Sequence, residues 1–315
     1  MNPNLILKNL FIFSGLFILG SCLSPIQENN SLTIPTSSGI VQGTLKQDVI
    51  SWEDIPYALP PEKDLRWKAP RPIITPDFAI QPQERNGCLQ EASIYAGIQG
   101  EGIVGQEDCL YLDIKAPFNN LNRRLPVMFW IHGGGSTSGI KDYYDFSELI
   151  RRHQVLVVTI NYRLGPLGWF THPAIQGLQN GLDKTSNFGT LDIIEALKWV
   201  KKNIQNFGGD PDNITIFGES AGGHNVLSLL ASPLADGLFH KAISQSGYTT
   251  SFTLEEAYGS NQQAIPNNKL ASDKVLSTHD LSGYGSIKKL FLSNPQRYGK
   301  AVSYTHLTLP TKLAV

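Results

Sequence analysis

The sequence lacks a strong charge of either sign, is poor in cysteine and shows no metal or nucleotide motif. Its 26 basic and 27 acidic residues leave a net charge of −1, which gives no indication of a basic face for nucleic acid or of a large field that steers charged substrates. The scattered histidines and the 3 cysteines lack the spacing of a metal site. The run Gly133-Gly134-Gly135 has neither the spacing of a dinucleotide loop nor the lysine of a P-loop. We therefore expect no metal, no cofactor and no nucleic-acid partner.

The hydrophobic run at the start of the chain is too short for a mature transmembrane helix, and small residues follow it, as in an export signal. Its end, Leu19-Gly20-Ser21-Cys22, resembles a bacterial lipobox, in which the cysteine is acylated and becomes the new N-terminus. We predict a signal peptide over residues 1–22, lipid attachment at Cys22 and a tether over 23–38. The protein is then an exported lipoprotein, anchored to a membrane in the bacterial periplasm or on the outer surface. A plain secretory peptide with an incidental cysteine is the alternative.

Two cysteines, Cys88 and Cys109, remain once Cys22 is assigned to the lipid. An even pair of cysteines in an exported chain favours a disulfide, because the compartment is oxidising. Two reduced, buried thiols are the alternative.

Short apolar runs alternate with helical patterns along the chain, without internal repeats. The runs at 126–131, 155–160 and 214–217 are typical of strands buried on both faces. Apolar residues recur at helical spacing from Ile193 to Ile204, and Gly208-Gly209 follows as a stop. This order predicts an α/β fold with a central, mostly parallel sheet.

The third run leads directly into Gly218-Glu219-Ser220-Ala221-Gly222, and helical spacing resumes at Val226. A glycine-flanked serine between a strand and a helix is typical of a nucleophile elbow, in which a sharp turn holds the hydroxyl clear of the backbone. We therefore predict that Ser220 is the catalytic nucleophile. The alternative is a structural serine in a glycine-rich turn.

A second glycine motif, His132-Gly133-Gly134-Gly135, closes the first buried run. Attack on an ester carbonyl creates an oxyanion, which needs preorganised backbone N–H donors, and glycine lets the main chain come close enough. This loop and the residue after the nucleophile, Ala221, are the expected donors. A flexible loop without that role is the alternative.

With both motifs in place, the chain resembles the type-B carboxylesterases, the cholinesterase-like family. The stretch 207–223 is similar to the family's active-serine signature. The stretch 107–114 is similar to its second signature, although Lys115 stands where the family usually has an apolar residue. The resemblance runs from about Thr33 to Tyr248.

The resemblance implies an α/β-hydrolase fold and the hydrolysis of a small carboxylic ester through a serine acyl-enzyme. It implies that Ser220 carries the acyl group, that Gly134, Gly135 and Ala221 form the oxyanion hole, and that Cys88 pairs with Cys109 in the first family disulfide.

Two polar residues beside the nucleophile have open roles. Glu219 matches an acidic residue that the family often carries before the serine, where it modulates the site. A buried, hydrogen-bonded carboxylate is the equally weighted alternative. His224 lies one helical turn after Ser220, and we expect it to be packed or capped rather than part of a triad, because the family order is serine, acid, then histidine.

The family pattern includes a general base and its acid partner, and this sequence shows no motif for either. The histidines after Ser220 that could serve, which are His240, His279 and His306, lie in no family-like triad motif. Residues 301–315 do not continue the family pattern, and we expect a foreign or artefactual tail. The predicted hydrolase domain, 39–300, is then partial, and this chain is a fragment without its triad acid and histidine. A non-catalytic, cholinesterase-like binding protein on the same fold is the alternative function.

Overall fold

A computed structural model describes residues 32–75, 77–81, 87–118, 123–171 and 173–249. The predictions made for the signal peptide, Cys22, His279, His306 and the 301–315 tail lie outside these residues.

The described chain alternates strands and helices, as the sequence predicts. The strands are β1 (Thr33–Thr36), β2 (Gly39–Gln42), β3 (Thr44–Lys46), β4 (Val49–Pro56), β5 (Gln90–Glu91), β6 (Ile103–Val104), β7 (Tyr111–Pro117), β8 (Leu125–Ile131), β9 (Leu156–Ile160), β10 (Gly209–Glu219) and β11 (Lys241–Gln245). The α-helices are α1 (Ser147–His153), α2 (Gly165–Gly168), α3 (Pro173–Gln176), α4 (Phe188–Asn203) and α5 (Ala221–Ala231).

Seven of these strands form one sheet in the order β11-β10-β8-β9-β7-β4-β3. The pairs β11–β10, β10–β8 and β8–β9 are parallel. The pairs β9–β7, β7–β4 and β4–β3 are antiparallel. Because the carboxyl ends of parallel strands meet at one edge of the sheet, the loops after β8 and β10 are neighbours, and these loops carry the two glycine motifs.

The sheet is covered on both faces where the site is built. Leu156 and Val158 belong to the main apolar core, whereas Val157 packs in a smaller cluster with Ile150 of α1. Since successive strand residues face opposite sides, β9 buries both of its faces. The continuous apolar runs in the sequence follow from this arrangement.

The N-terminal boundary of the folded part lies earlier than predicted. β1 pairs with β2 in antiparallel register, from Thr33 opposite Gln42 to Thr36 opposite Gly39. Alternate residues of β1, Ile34 and Thr36, are buried. The predicted tether at 23–38 therefore overlaps the fold from residue 33 onwards, because a short polar strand can be held by pairing rather than by its own hydrophobicity.

Cys88 and Cys109 form a disulfide, as the sequence predicts. The bond closes a loop that contains the small β5–β6 hairpin. Within the described residues, no helix has both the length and the apolar character that a membrane crossing requires.

Candidate active site

Ser220 lies at a sharp turn between the last residue of β10 and the first residue of α5. Its backbone has φ 55° and ψ −119°, a conformation that non-glycine residues avoid and that marks a constrained site. The turn is held at both ends: the Ser220 N–H donates to the Gln245 carbonyl at 2.9 Å, and its carbonyl accepts from the His224 N–H at 2.9 Å. The Ser220 residue is partly exposed. The predicted elbow therefore has its expected backbone geometry, with the positive end of α5 beneath the hydroxyl.

The two glycines that flank the turn are required by close backbone packing. A Cβ on Gly218 would lie 2.7 Å from the Ile131 carbonyl oxygen and 2.6 Å from the Gly222 carbonyl carbon. A Cβ on Gly222 would lie 2.0 Å from the same Ile131 oxygen. Any side chain at either position would push the elbow away from the end of β8.

Gly222→Ala should therefore lower the free energy of unfolding by about 2–3 kcal/mol, because backbone atoms have to move to admit the methyl group. It should also slow every reaction of Ser220. Gly237→Ala is the control, since nothing lies within 4 Å of its added Cβ and only its φ of +72° opposes alanine; its cost should be about 1 kcal/mol. Urea unfolding of both variants measures the difference. Equal costs would show that the packing at the elbow is not tight.

The glycine loop after β8 lies directly against the elbow. A Cβ on Gly133 would lie 2.7 Å from the Glu219 carbonyl oxygen and 3.3 Å from the Ser220 Cβ. Gly134 and Gly135 follow with φ of +90° and +61°. Glycine is needed here both for the close approach and for the left-handed backbone.

The carbonyl ends of the loop peptides determine where the N–H groups point. The Gly133 carbonyl faces His132 Nδ1 at 2.9 Å, and the Gly134 carbonyl accepts from the amides of Thr137 and Ser138, both at 3.0 Å. In a trans peptide the C=O and N–H point in opposite directions. The Gly134 and Gly135 amides therefore point away from these partners, and neither donates to an acceptor within the described part of the chain.

Ala221 completes the set of predicted oxyanion donors. Its N–H lies in the first turn of α5, where amides have no acceptor inside the helix. The structure thus brings Ser220, the glycine loop and Ala221 together at the carboxyl edge of the sheet, where the amides of Gly134, Gly135 and Ala221 have no acceptor in the part of the chain that the structure describes.

His132 is the residue that orients the first of these peptides. Its ring is buried, stacks on Tyr162 with centroids 4.4 Å apart, and faces a carbonyl through Nδ1. Desolvation lowers the pKa of His132 to about 4, so the ring is neutral at physiological pH. Since a carbonyl can only accept, Nδ1 carries the proton and donates it to Gly133.

A buried ionic cluster lies just after the glycine loop, and the sequence analysis missed it. Lys141 Nζ lies 2.9 Å from Asp54, 2.8 Å from Asp113 and 2.8 Å from Asp142, with no exposed side-chain surface of its own. The Lys141 N–H also donates to Asn161 Oδ1 at 2.8 Å. The cluster joins β4 and β7 to the segment that follows the loop.

Three carboxylates this close suit a cation, and the lysine ammonium already occupies that place. The carboxylates raise the pKa of Lys141 far above its usual range, against the opposing effect of desolvation, so the amine stays charged. The cluster is a structural ion-pair network rather than a metal site.

A sequence model described as "Carboxylesterase family" matches residues 30–271. The chain belongs to the carboxylesterase family. The para-nitrobenzyl esterase of Bacillus subtilis (strain 168) is 40% identical over 256 residues, which cover 79% of this chain and 51% of that protein. The fumonisin B1 esterase of Sphingopyxis macrogoltabida is 40% identical over 242 residues, which cover 73% of this chain and 43% of that protein.

Solved structures of carboxylesterases share the fold. A thermophilic PNB esterase superposes with a TM-score of 0.73 and 36% identity, over 86% of this chain and 53% of that one. The predicted family and the predicted α/β-hydrolase fold are confirmed. The chain spans about half the length of the curated relatives that it matches.

Of the two polar residues beside the nucleophile, Glu219 is exposed and His224 is buried. Glu219 is exposed, so the buried-carboxylate alternative is wrong. Its Oε2 lies 3.0 Å from the position of a Gly133 Cβ, which places the carboxylate over the glycine loop. His224 is buried, its Nδ1 hydrogen-bonds to the Tyr248 carbonyl, and its ring stacks on Tyr248. As predicted, His224 is a packed residue.

No imidazole ring of the described residues forms a hydrogen bond with the Ser220 hydroxyl. His132 and His224 are committed to carbonyls, and His153 is exposed at the end of α1. His240 Nδ1 accepts from the Ile214 N–H at 3.1 Å. Ile214 lies six residues before Ser220 on β10, roughly 20 Å away at the rise of an extended strand. His240 is therefore not the base.

Proposed function

We propose that the protein hydrolyses carboxylic esters through an acyl-enzyme on Ser220. One observation carries the proposal: a serine in a constrained turn lies against a glycine loop in which the amides of Gly134 and Gly135 donate to no acceptor among the described residues. Amides arranged in this way stabilise the developing negative charge without reorganising during the reaction. Such preorganised stabilisation supplies much of the rate enhancement of acyl transfer.

In the proposed reaction, Ser220 Oγ attacks the ester carbonyl carbon as its proton passes to a general base. The carbonyl oxygen becomes an oxyanion that accepts hydrogen bonds from the amides of Gly134, Gly135 and Ala221. The tetrahedral intermediate collapses, the alcohol leaves with a proton, and an acyl-serine remains. Water then attacks the acyl group, and the acid is released. No described imidazole reaches the Ser220 hydroxyl, so the general base of this proposal is not among the described residues.

Activity-based labelling tests this function. The whole protein that carries this chain should react with a fluorophosphonate, and peptide mass spectrometry should place the adduct on Ser220. Preincubation with a hydrolysable ester should slow the labelling. A protein that binds esters without labelling would instead support the non-catalytic binding function on the same fold.

We propose further that the protein is exported and anchored at a membrane through a lipid on Cys22. The support is the apolar run that ends in Leu19-Gly20-Ser21-Cys22. Cells that express the protein should incorporate labelled palmitate into it, and Cys22→Ala should abolish that incorporation and release the protein from the membrane fraction. Unchanged fractionation of Cys22→Ala would reject the anchor.

A further inference from the structure

Gln90 connects the disulfide loop to Gly139, four residues after the glycine loop, through both ends of its side-chain amide. It stands two residues after Cys88 and is fully buried. Its Oε1 accepts from the Gly139 N–H at 2.7 Å, and its Nε2 donates to the Gly139 carbonyl at 2.9 Å. Nε2 also donates to the Cys88 carbonyl at 2.9 Å. The side chain therefore binds Gly139 as a neighbouring strand would, with one donor and one acceptor.

Gly139 in turn determines the space available to His132. Gly139 has φ +133°, and a Cβ placed on it would lie 2.2 Å from His132 Nδ1. The Gly139 backbone therefore lies directly against the edge of the imidazole that carries the proton. If Gly139 moves, the ring can tilt, and its hydrogen bond to the Gly133 carbonyl changes with it.

We propose that Gln90 is a positioning residue for the oxyanion hole. Gln90 holds Gly139, Gly139 confines His132, and His132 orients the peptide whose N–H belongs to Gly134. Gln90 acts through these contacts and touches neither the substrate nor Ser220. This inference rests on the proposed esterase function, since it assigns a role in the same site.

The main test variant is Gln90→Met in the whole protein. Methionine has nearly the same length, and Gln90 borders a cavity of about 310 Å³ that can absorb small differences in shape. The variant removes the donor and the acceptor that hold Gly139. Gln99→Met is the matched control, because Gln99 is an exposed glutamine within the same disulfide loop. Gly139→Ala tests the contact between Gly139 and His132 directly, since the added methyl group overlaps the His132 ring.

Turnover is measured per Ser220 titrated by the fluorophosphonate, so that unfolded protein does not count. We expect Gln90→Met and Gly139→Ala to lower kcat by about tenfold to a hundredfold. This is less than the roughly hundredfold to thousandfold cost of removing one oxyanion donor, because the donor is misplaced rather than lost. KM should stay within about twofold, because ground-state binding does not use the developing charge. Inhibition by a trifluoromethyl ketone, whose adduct carries the oxyanion, should weaken by the same factor as kcat. Gln99→Met should match the wild type in all three measurements.

The outcomes separate the two proposals. A wild-type protein that neither labels nor turns over esters rejects the proposed function. A wild-type protein that does both, with an unchanged kcat and ketone affinity in Gln90→Met, rejects the role of Gln90, even when the melting temperature falls. Should Gln90→Met yield no titratable protein, Gln90→Asn, which keeps the amide but is one methylene too short, carries the same expectations.

Discussion

Ser220→Ala should lower ester turnover by a factor on the order of 10⁴ to 10⁶, because the acyl group has no other atom to which it can be transferred. The variant should fold normally, since the hydroxyl contributes no hydrogen bond to the described fold and the backbone of the turn is held by Gln245 and His224. Steady-state hydrolysis of an aryl ester, with a stopped-flow search for the burst of alcohol, measures both the loss of turnover and the loss of acylation.

Ser228→Ala is the control for this loss. Ser228 lies in α5, eight residues after the nucleophile, and its Oγ donates to the His224 carbonyl at 2.9 Å within the helix. Its removal should leave turnover within about twofold of wild type, because the bond is local. Hydrolysis that persists in Ser220→Ala at more than a hundredth of the wild-type rate would require a different nucleophile.

Lys141→Met should lower the free energy of unfolding by about 3–5 kcal/mol, the loss seen when one partner of a buried ion pair is removed. The substitution leaves the carboxylates of Asp54, Asp113 and Asp142 close together without the ammonium that lies between them. Lys46→Met, at an exposed position on β3, is the control and should cost less than about 0.5 kcal/mol. Chemical unfolding at neutral pH compares the two variants. A small loss in Lys141→Met would mean that the carboxylates are held neutral without the lysine.

The pH dependence of stability gives a second check on this cluster. Desolvation raises the pKa of Asp113 to about 7, with Lys141 opposing the shift and Asp142 adding to it. The folded carboxyl therefore keeps its proton from about pH 4, where the unfolded carboxyl loses it, up to about pH 7. Because the folded state binds more protons in this window, the contribution of Asp113 to stability falls as the pH rises through it. Lys141 is protonated in both states there and adds no slope.

Asp113→Asn isolates this effect, because it removes the titrating group and keeps a side-chain oxygen for the Asp54 N–H. The unfolding free energy of wild type relative to Asp113→Asn should decline between pH 4 and pH 7 and level off above. A difference that stays constant over this range would contradict the assignment.

The elbow could be predicted from the sequence because its cause is local. A strand that ends at Gly218-Glu219, a serine directly after it and a helix that begins at once leave few conformations. The contact of Gly222 with the end of β8 requires glycine. The glycine loop was predictable for the same reason. In both motifs, the steric requirement for glycine arises from residues of the motif itself or of the strand beside it.

The supports of the glycine loop could not be predicted because they join distant parts of the chain. Gln90 and Gly139 are 49 residues apart, and nothing near Gln90 indicates its partner. From the sequence alone, Lys141 resembles a surface lysine. Only the fold shows that Asp54 and Asp113 lie beside it. One signal was present: Asp113 stands between Leu112 and Ile114 in a buried strand, where an unpaired charge is costly. The tether boundary was wrong because β1 is held by pairing with β2, which composition does not reveal.

The most direct test of the account is a crystal structure of the whole protein after reaction with a phosphonate ester. We predict a covalent bond from the phosphorus to Ser220 Oγ, with the phosphoryl oxygen about 2.7–3.1 Å from the amide nitrogens of Gly134, Gly135 and Ala221. An adduct on another residue, or a phosphoryl oxygen directed away from these amides, would contradict the claim that this turn and this loop form the catalytic site.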